Sequence, residues 1–168
     1  MAYWHYACNV DHLMAEIFNS MRKELNEKSI LVVDDDERML RALDKVLTGE
    51  GATVMCSSWA GSAIGVVAEK KIEVDLVIID LCMPFISGLT TVHALHNYCP
   101  RLPIIVLTAY GSPTVKAECL REGAAAFLEK PLDSSVLIDA IAGVLAPKVD
   151  GTNKSGRMAK ETGEDEGR

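Results

Sequence analysis

One stretch of this chain is especially informative: Val74-Asp75-Leu76-Val77-Ile78-Ile79-Asp80-Leu81-Cys82-Met83-Pro84. Its apolar run is typical of a buried strand in a parallel sheet, which helices cover on both faces. Asp80 ends this run, and a turn containing Pro84 follows it. Because ligands of open α/β sheets bind outside the carboxyl ends of the strands, Asp80 is expected where a reactive group can meet solvent. This position suits chemistry better than packing.

A second acidic cluster follows another apolar run, at residues 29–33. It consists of Asp34, Asp35, Asp36 and Glu37. If the two strands are neighbours, as doubly wound topologies permit, their terminal carboxylates would repel one another without a divalent cation between them. The alternative is that the cluster favours the dipole of the following helix, and we assign the N-cap role to Asp36.

Short β-branched runs alternate with helical patterns through the middle of the chain. The spacing of apolar residues predicts strands at 30–33, 53–56, 76–79, 104–107 and 126–128, and helices at 37–47, 58–70, 89–98, 114–122 and 133–145. Five strands that alternate with five helices predict an α/β fold with a doubly wound parallel sheet.

Composition limits the class of protein. The chain has 168 residues, of which 49% are hydrophobic, which suits one domain with short appendages. Its net charge of −7 argues against direct nucleic-acid binding. Its apolar runs are shorter than the ~20 residues that span a bilayer, so no membrane span is expected. Five cysteines without a paired motif, and no signal peptide, predict a reduced cytoplasmic protein.

The two ends differ from the middle. Residues 1–28 are expected to form an extension with an amphipathic helix, because one helical face carries Leu13, Met14, Ile17, Phe18, Met21 and Leu25. The alternative that the natural product starts at Met21 remains open. Residues 29–146 form the predicted domain. Residues 147–168 are rich in Gly, Lys and Glu and are expected to be a disordered tail, with no further domain after Leu145.

Two more polar residues stand at predicted strand ends. Thr108 ends the fourth strand and Lys130 follows the fifth, so both are expected at the same sheet edge as Asp80. A carboxylate nucleophile, metal-holding acids, a hydroxyl and a cation together form a set suited to phosphoryl transfer. The plainer alternative makes Thr108 a β-prone residue and Lys130 a solvated surface residue.

Four segments in this order resemble the receiver domain of bacterial two-component response regulators. They are Ile30-Leu31-Val32-Val33-Asp34-Asp35, Asp80-Leu81-Cys82-Met83-Pro84 with Gly88, Leu107-Thr108-Ala109, and Lys130-Pro131. The resemblance covers about residues 28–146 and implies a CheY-like, stand-alone receiver. It also implies the flavodoxin-like fold, a five-stranded parallel sheet with strand order 2-1-3-4-5.

The resemblance implies a phosphoacceptor and a metal site. Asp80 would accept a phosphoryl group from a sensor histidine kinase or a phosphotransfer protein. Asp35 and Asp80 would ligate Mg²⁺ with their carboxylates, Asp34 would reach it directly or through water, and Cys82 would offer its backbone carbonyl. The metal would offset the clustered negative charge during transfer.

The resemblance also implies a switch. Lys130 would pair with Asp80 at rest and with the phosphoryl group afterwards, and the bond from Lys130 to Pro131 is expected to be cis. Thr108 would move to contact the phosphoryl group while Phe127 fills the space it leaves. The alternative for Phe127 is an ordinary core residue.

The last predicted helix, residues 133–145, is apolar almost all round. We expect its outer face, with the helix at 114–122, to meet a partner such as a second copy in a homodimer or the chain's own N-terminal helix. The alternative is a helix that is simply rich in small aliphatic residues. The downstream protein target stays open.

Two other functions compete with the phosphorylated switch. Phosphatases of the haloacid dehalogenase type also use a strand-end Asp with Mg²⁺, but they need a second acid two residues later, where this chain has Cys82. A receiver fold that acts by contact alone usually lacks the acceptor, an acid or the lysine, and this chain keeps all of them. We therefore predict a phosphorylation-dependent switch rather than an enzyme.

Overall fold

The computed structural model describes residues 25–69 and 73–147. Its strands are β1 Ser29–Val33, β2 Thr53–Ser57, β3 Leu76–Ile79, β4 Ile104–Thr108 and β5 Ala126–Glu129. Its helices are α1 Glu37–Gly49, α2 Ala60–Glu69, α3 Gly88–Tyr98, α4 Pro113–Arg121 and α5 Ser134–Leu145. The predicted N-terminal helix, apart from Leu25, and the predicted tail after Pro147 lie outside the described residues.

The five strands form one parallel sheet in the order β2-β1-β3-β4-β5. This order confirms the predicted flavodoxin-like topology. β1 and β3 are neighbours, and Val33 lies opposite Ile79. The residues that follow these two strands, Asp34 and Asp80, therefore leave the sheet side by side.

Helices cover both faces of the sheet, so the core has two halves. One half contains Leu31, Val33, Val77, Ile79, Ile104 and Val106, packed under α2, α3 and α4. The other contains Ile30, Val32, Leu76, Ile78, Ile105 and Leu107, packed under α1 and α5. Because successive strand residues face opposite sides, burial on both faces requires the continuous apolar runs seen in the sequence. No helix in the described ranges is long and apolar enough to cross a membrane.

Helix boundaries differ from the predictions where turns compete with the helix. α1 continues through Gly49, and the chain turns at Gly51, whose φ is +92°. α2 begins at Ala60 instead of residue 58, because Ser57 Oγ accepts a hydrogen bond from the Trp59 amide and holds a turn there. Asp133 takes the N-cap position of α5, but its side chain makes no capping bond.

Candidate functional site

The carboxyl ends of β1 and β3 bring three carboxylates together. Asp34, Asp35 and Asp80 each offer an oxygen within 4.8 Å of the others. The Asp80 amide donates to the Val33 carbonyl at 2.9 Å, which fixes the two strand ends against each other. Asp34 and Asp80 are buried, whereas Asp35 is exposed. The predicted acids therefore meet at one edge, with Asp35 on the side open to solvent.

Backbone hydrogen bonds orient the carboxylates. Asp34 Oδ1 accepts from the Asp36 amide at 2.9 Å, and Asp80 Oδ1 accepts from the Cys82 amide at 3.3 Å. Asp36 itself caps α1 by accepting from the Arg38 amide at 2.8 Å, as predicted. This bond holds the pKa of the Asp36 carboxyl below its usual value. Asp36 thus belongs to the helix start, whereas Asp34, Asp35 and Asp80 belong to the site.

Lys130 lies between the two buried carboxylates. Its Nζ donates to Asp34 Oδ2 at 2.5 Å and to Asp80 Oδ2 at 3.3 Å, and only 12% of its side chain is exposed. Burial alone lowers the pKa of Lys130, but the bonds and charges of Asp34 and Asp80 outweigh it and raise that pKa above its usual value. The amide of Lys130 donates to the Thr108 carbonyl at 2.8 Å, and the Lys130–Pro131 bond is cis.

Thr108 lies at the same edge and is fully buried. Its Oγ1 accepts from the Tyr110 amide at 3.3 Å and lies 3.9 Å from Cys82 Sγ. Cys82 thus contacts both Thr108, through its Sγ, and Asp80, because its amide donates to the Asp80 carboxylate. Phe127 lies opposite Val106 and points inward, with 8% of its surface exposed. The structure therefore places Thr108 at the site and Phe127 in the core on the neighbouring strand.

The family model described as the response regulator receiver domain matches residues 30–142, more than half of the chain. The chain belongs to this family. It is therefore a receiver domain of two-component response regulators, whose members act as phosphoacceptor switches and bind Mg²⁺ at acidic residues.

Similar proteins and structures agree with this assignment. The transcriptional regulatory protein GlrR of Escherichia coli K12 is 34% identical over 130 residues, covering 77% of this chain and 29% of GlrR. The response regulator protein FleR of Pseudomonas aeruginosa is 31% identical over 132 residues, covering 79% of this chain and 28% of FleR. The chain spans less than a third of the length of these curated relatives.

Two solved receiver structures share the fold. A response regulator receiver domain protein from Clostridium thermocellum superposes with a TM-score of 0.66 at 28% identity, covering 70% of this chain and 94% of that one. A CheY-like receiver domain protein from Methanospirillum hungatei gives a TM-score of 0.67 at 28% identity, covering 71% and 94%.

One contact at the site was not predicted from the sequence. Lys130 was expected to pair with Asp80 at rest, and it does, but it also pairs with Asp34 at a shorter distance. The second partner could have been predicted, since β1 and β3 were expected to be neighbours and an acid follows each of them. A lysine from β5 that reaches one acid therefore meets both.

Gly88 is required by the packing of the loop after β3. A Cβ at this position would collide with the Asp80 carbonyl oxygen and with Leu81 Cα, both of them backbone atoms. We expect Gly88→Ala to lower the free energy of unfolding by about 1–3 kcal/mol, as overpacking typically does. Chemical denaturation measures this loss. As a control, Gly65→Ala in the middle of α2 meets nothing within 4 Å and should stabilise by up to ~1 kcal/mol.

Phe85 holds an unfavourable backbone conformation beside the site. Its φ is +71°, the Ile86 amide donates to the Pro84 carbonyl at 2.9 Å across it, and its side chain is 96% exposed. This is the γ-turn that strains an L residue. We expect Phe85→Gly to raise the free energy of unfolding by about 0.5–1 kcal/mol, because relief of ~1–2 kcal/mol of strain exceeds the entropy cost of glycine.

The matched control for Phe85→Gly is Phe85→Ala. It removes the same exposed aromatic ring but keeps a Cβ at positive φ, so no gain in stability is expected. Equal urea midpoints for the two variants would contradict the prediction that backbone strain at Phe85 lowers the stability of the domain.

Proposed function

We propose that this domain is a signalling switch in which Asp80 accepts a phosphoryl group from a sensor histidine kinase or phosphotransfer protein. The observation that supports this most directly is the cluster of Asp34, Asp35 and Asp80 within 4.8 Å, with Lys130 bonded to two of its members. Such a set combines a nucleophile, metal ligands and a cation at one sheet edge.

The donor set fits a magnesium ion. Two of the three carboxylates pair with one ammonium group, so the cluster keeps a net charge near −2 that a divalent cation would offset. Asp35 and Asp80 would hold the ion with their carboxylates, Asp34 directly or through water, and Cys82 with its backbone carbonyl. Bound Mg²⁺ would neutralise charge on the phosphoryl oxygens. The exposed Asp35 leaves the cluster open to solvent on one side.

The transfer step forms one bond and breaks one bond. A carboxylate oxygen of Asp80 attacks phosphorus, the bond from phosphorus to the donor's histidine nitrogen breaks, and that nitrogen keeps the electron pair. Asp80 Oδ2 already faces Lys130, so the ammonium group is positioned to pair with a phosphoryl oxygen on the acyl phosphate. The Cys82 amide keeps Oδ1 oriented meanwhile.

Thr108 and Phe127 would convert phosphorylation into a change of surface. The Thr108 hydroxyl, now bonded by the Tyr110 amide, would turn to the phosphoryl group, and Phe127 would fill the space vacated. The surface of α4, β5 and α5 would then control a protein partner or a homodimer through α5. Val136 on α5 and Leu120 on α4 are exposed and suit such contact. The names of the relatives favour a partner in transcriptional regulation.

Intact mass spectrometry after incubation with acetyl phosphate and Mg²⁺ tests this proposal. We expect a gain of one phosphoryl group, about 80 Da, which disappears when EDTA removes the metal. No gain from acetyl phosphate or from a competent kinase, in a folded sample, would instead favour a receiver fold that signals by contact alone.

A further inference from the structure

An apolar groove opens between α1 and α5, on one face of the sheet. It has a volume of about 200 Å³ and is lined mainly by Met39, Ala42, Val46, Leu132 and Leu137. Lys130 and Pro131 line the end of the groove that is next to the proposed phosphoacceptor site. Met39 and Leu132 are only partly buried within the described part of the chain. An apolar surface of this kind, beside a functional site, is typical of a place where another segment binds.

The chain reaches the domain on this same face. Leu25, the first described residue, is fully buried in the half of the core that holds Leu47 of α1 and Ile141 of α5. The Asn26 side chain packs against Gly51 just beyond α1, where a Cβ would collide with it. The 24 preceding residues therefore join the domain at the C-terminal end of α1.

The preceding residues carry an apolar stripe that ends at this anchor. Leu13, Met14, Ile17, Phe18 and Met21 continue the helical spacing that leads to Leu25. A helix over residues 10–24 would be ~22 Å long at ~1.5 Å per residue, slightly longer than α1. It would therefore extend from the C-terminal end of α1 along the groove as far as Met39.

We propose that residues 10–24 dock as an amphipathic helix in the groove between α1 and α5, with Phe18 and its apolar neighbours against Met39, Ala42 and Val46. The contact depends on the groove and on the stripe, and it does not depend on phosphorylation of Asp80.

Hydrogen exchange with mass spectrometry on the full chain tests this contact. Wild-type protein should show protected amides in residues 10–24, and α1 should be protected along its groove side. Phe18→Asp should speed exchange of residues 10–24 by about tenfold or more, because a buried aromatic is replaced by a charge. Asn19→Asp adds the same charge on the opposite face of the predicted helix and should leave exchange unchanged.

A second variant changes the groove instead of the segment. Ala42 is exposed within the groove, so Ala42→Glu should leave the fold intact and release residues 10–24 as Phe18→Asp does. Unchanged exchange in both variants, or equal effects of Phe18→Asp and Asn19→Asp, would overturn the proposal. So would a wild-type dimer that Phe18→Asp converts to monomer in light scattering, since the segment would then dock on a second copy.

Discussion

Asp80→Asn is expected to abolish phosphoryl incorporation from acetyl phosphate and Mg²⁺. An amide has no free carboxylate oxygen with which to form an acyl phosphate. The neighbouring acids cannot readily replace it. Both Asp34 oxygens are engaged, one by the Asp36 amide and one by Lys130, and the predicted transfer geometry uses the strand-end carboxylate of β3. Intact mass should therefore show full loss of the ~80 Da gain.

The control for this experiment is Asp36→Asn. Asp36 is exposed and caps α1, and asparagine is an equally good N-cap, so both fold and phosphorylation should persist. If Asp80→Asn still gained a phosphoryl group, peptide mapping would locate it, and a site at Asp34 or Asp35 would refute Asp80 as the acceptor. Thermal unfolding of both variants checks that any loss of phosphorylation is not a loss of folding.

The sequence predicted the convergence of the site because parallel strands determine it. Residues after the carboxyl ends of neighbouring strands must meet at one edge, and the apolar runs before Asp34, Asp80 and Thr108 identified those ends. The strand order followed from the resemblance, which supplied the pairing of β1 with β3 that periodicity alone leaves open. The strand residues of the core could also be predicted from the sequence, since burial on both faces requires apolar residues throughout each strand.

Other features depended on local geometry that residue type does not encode. Phe85 has a φ of +71° in the turn between β3 and α3, and a phenylalanine gives no sign of that conformation in the sequence. Asp133 stands where an N-cap belongs, yet its side chain does not accept the bond, because capping depends on side-chain orientation as well as position. The second partner of Lys130 likewise required the relative positions of three strand ends.

Lys130→Met is expected to lower the free energy of unfolding by about 3–5 kcal/mol in metal-free buffer. Methionine keeps the apolar stem but removes the cation, and two buried carboxylates, Asp34 and Asp80, are left side by side without a partner. Urea unfolding in EDTA measures this loss. Added Mg²⁺ should restore more stability to Lys130→Met than to the wild type, because the ion no longer competes with an ammonium group for the same oxygens.

Lys28→Met provides the matched control. Lys28 pairs with Asp75 at 3.3 Å, but both side chains are more than a third exposed, so its loss should cost at most about 1 kcal/mol. Equal costs for the two variants would contradict the view that Lys130 holds the acids of the site together.

The stability that Lys130 contributes depends on pH with a definite sign, because the pKa of Lys130 is raised. Its contribution is fully present below the usual lysine value of 10.5 and is lost as pH rises through the higher folded-state pKa. The stability difference between wild type and Lys130→Met that this pairing produces should therefore hold steady from neutral pH to about pH 9 and shrink only in stronger base.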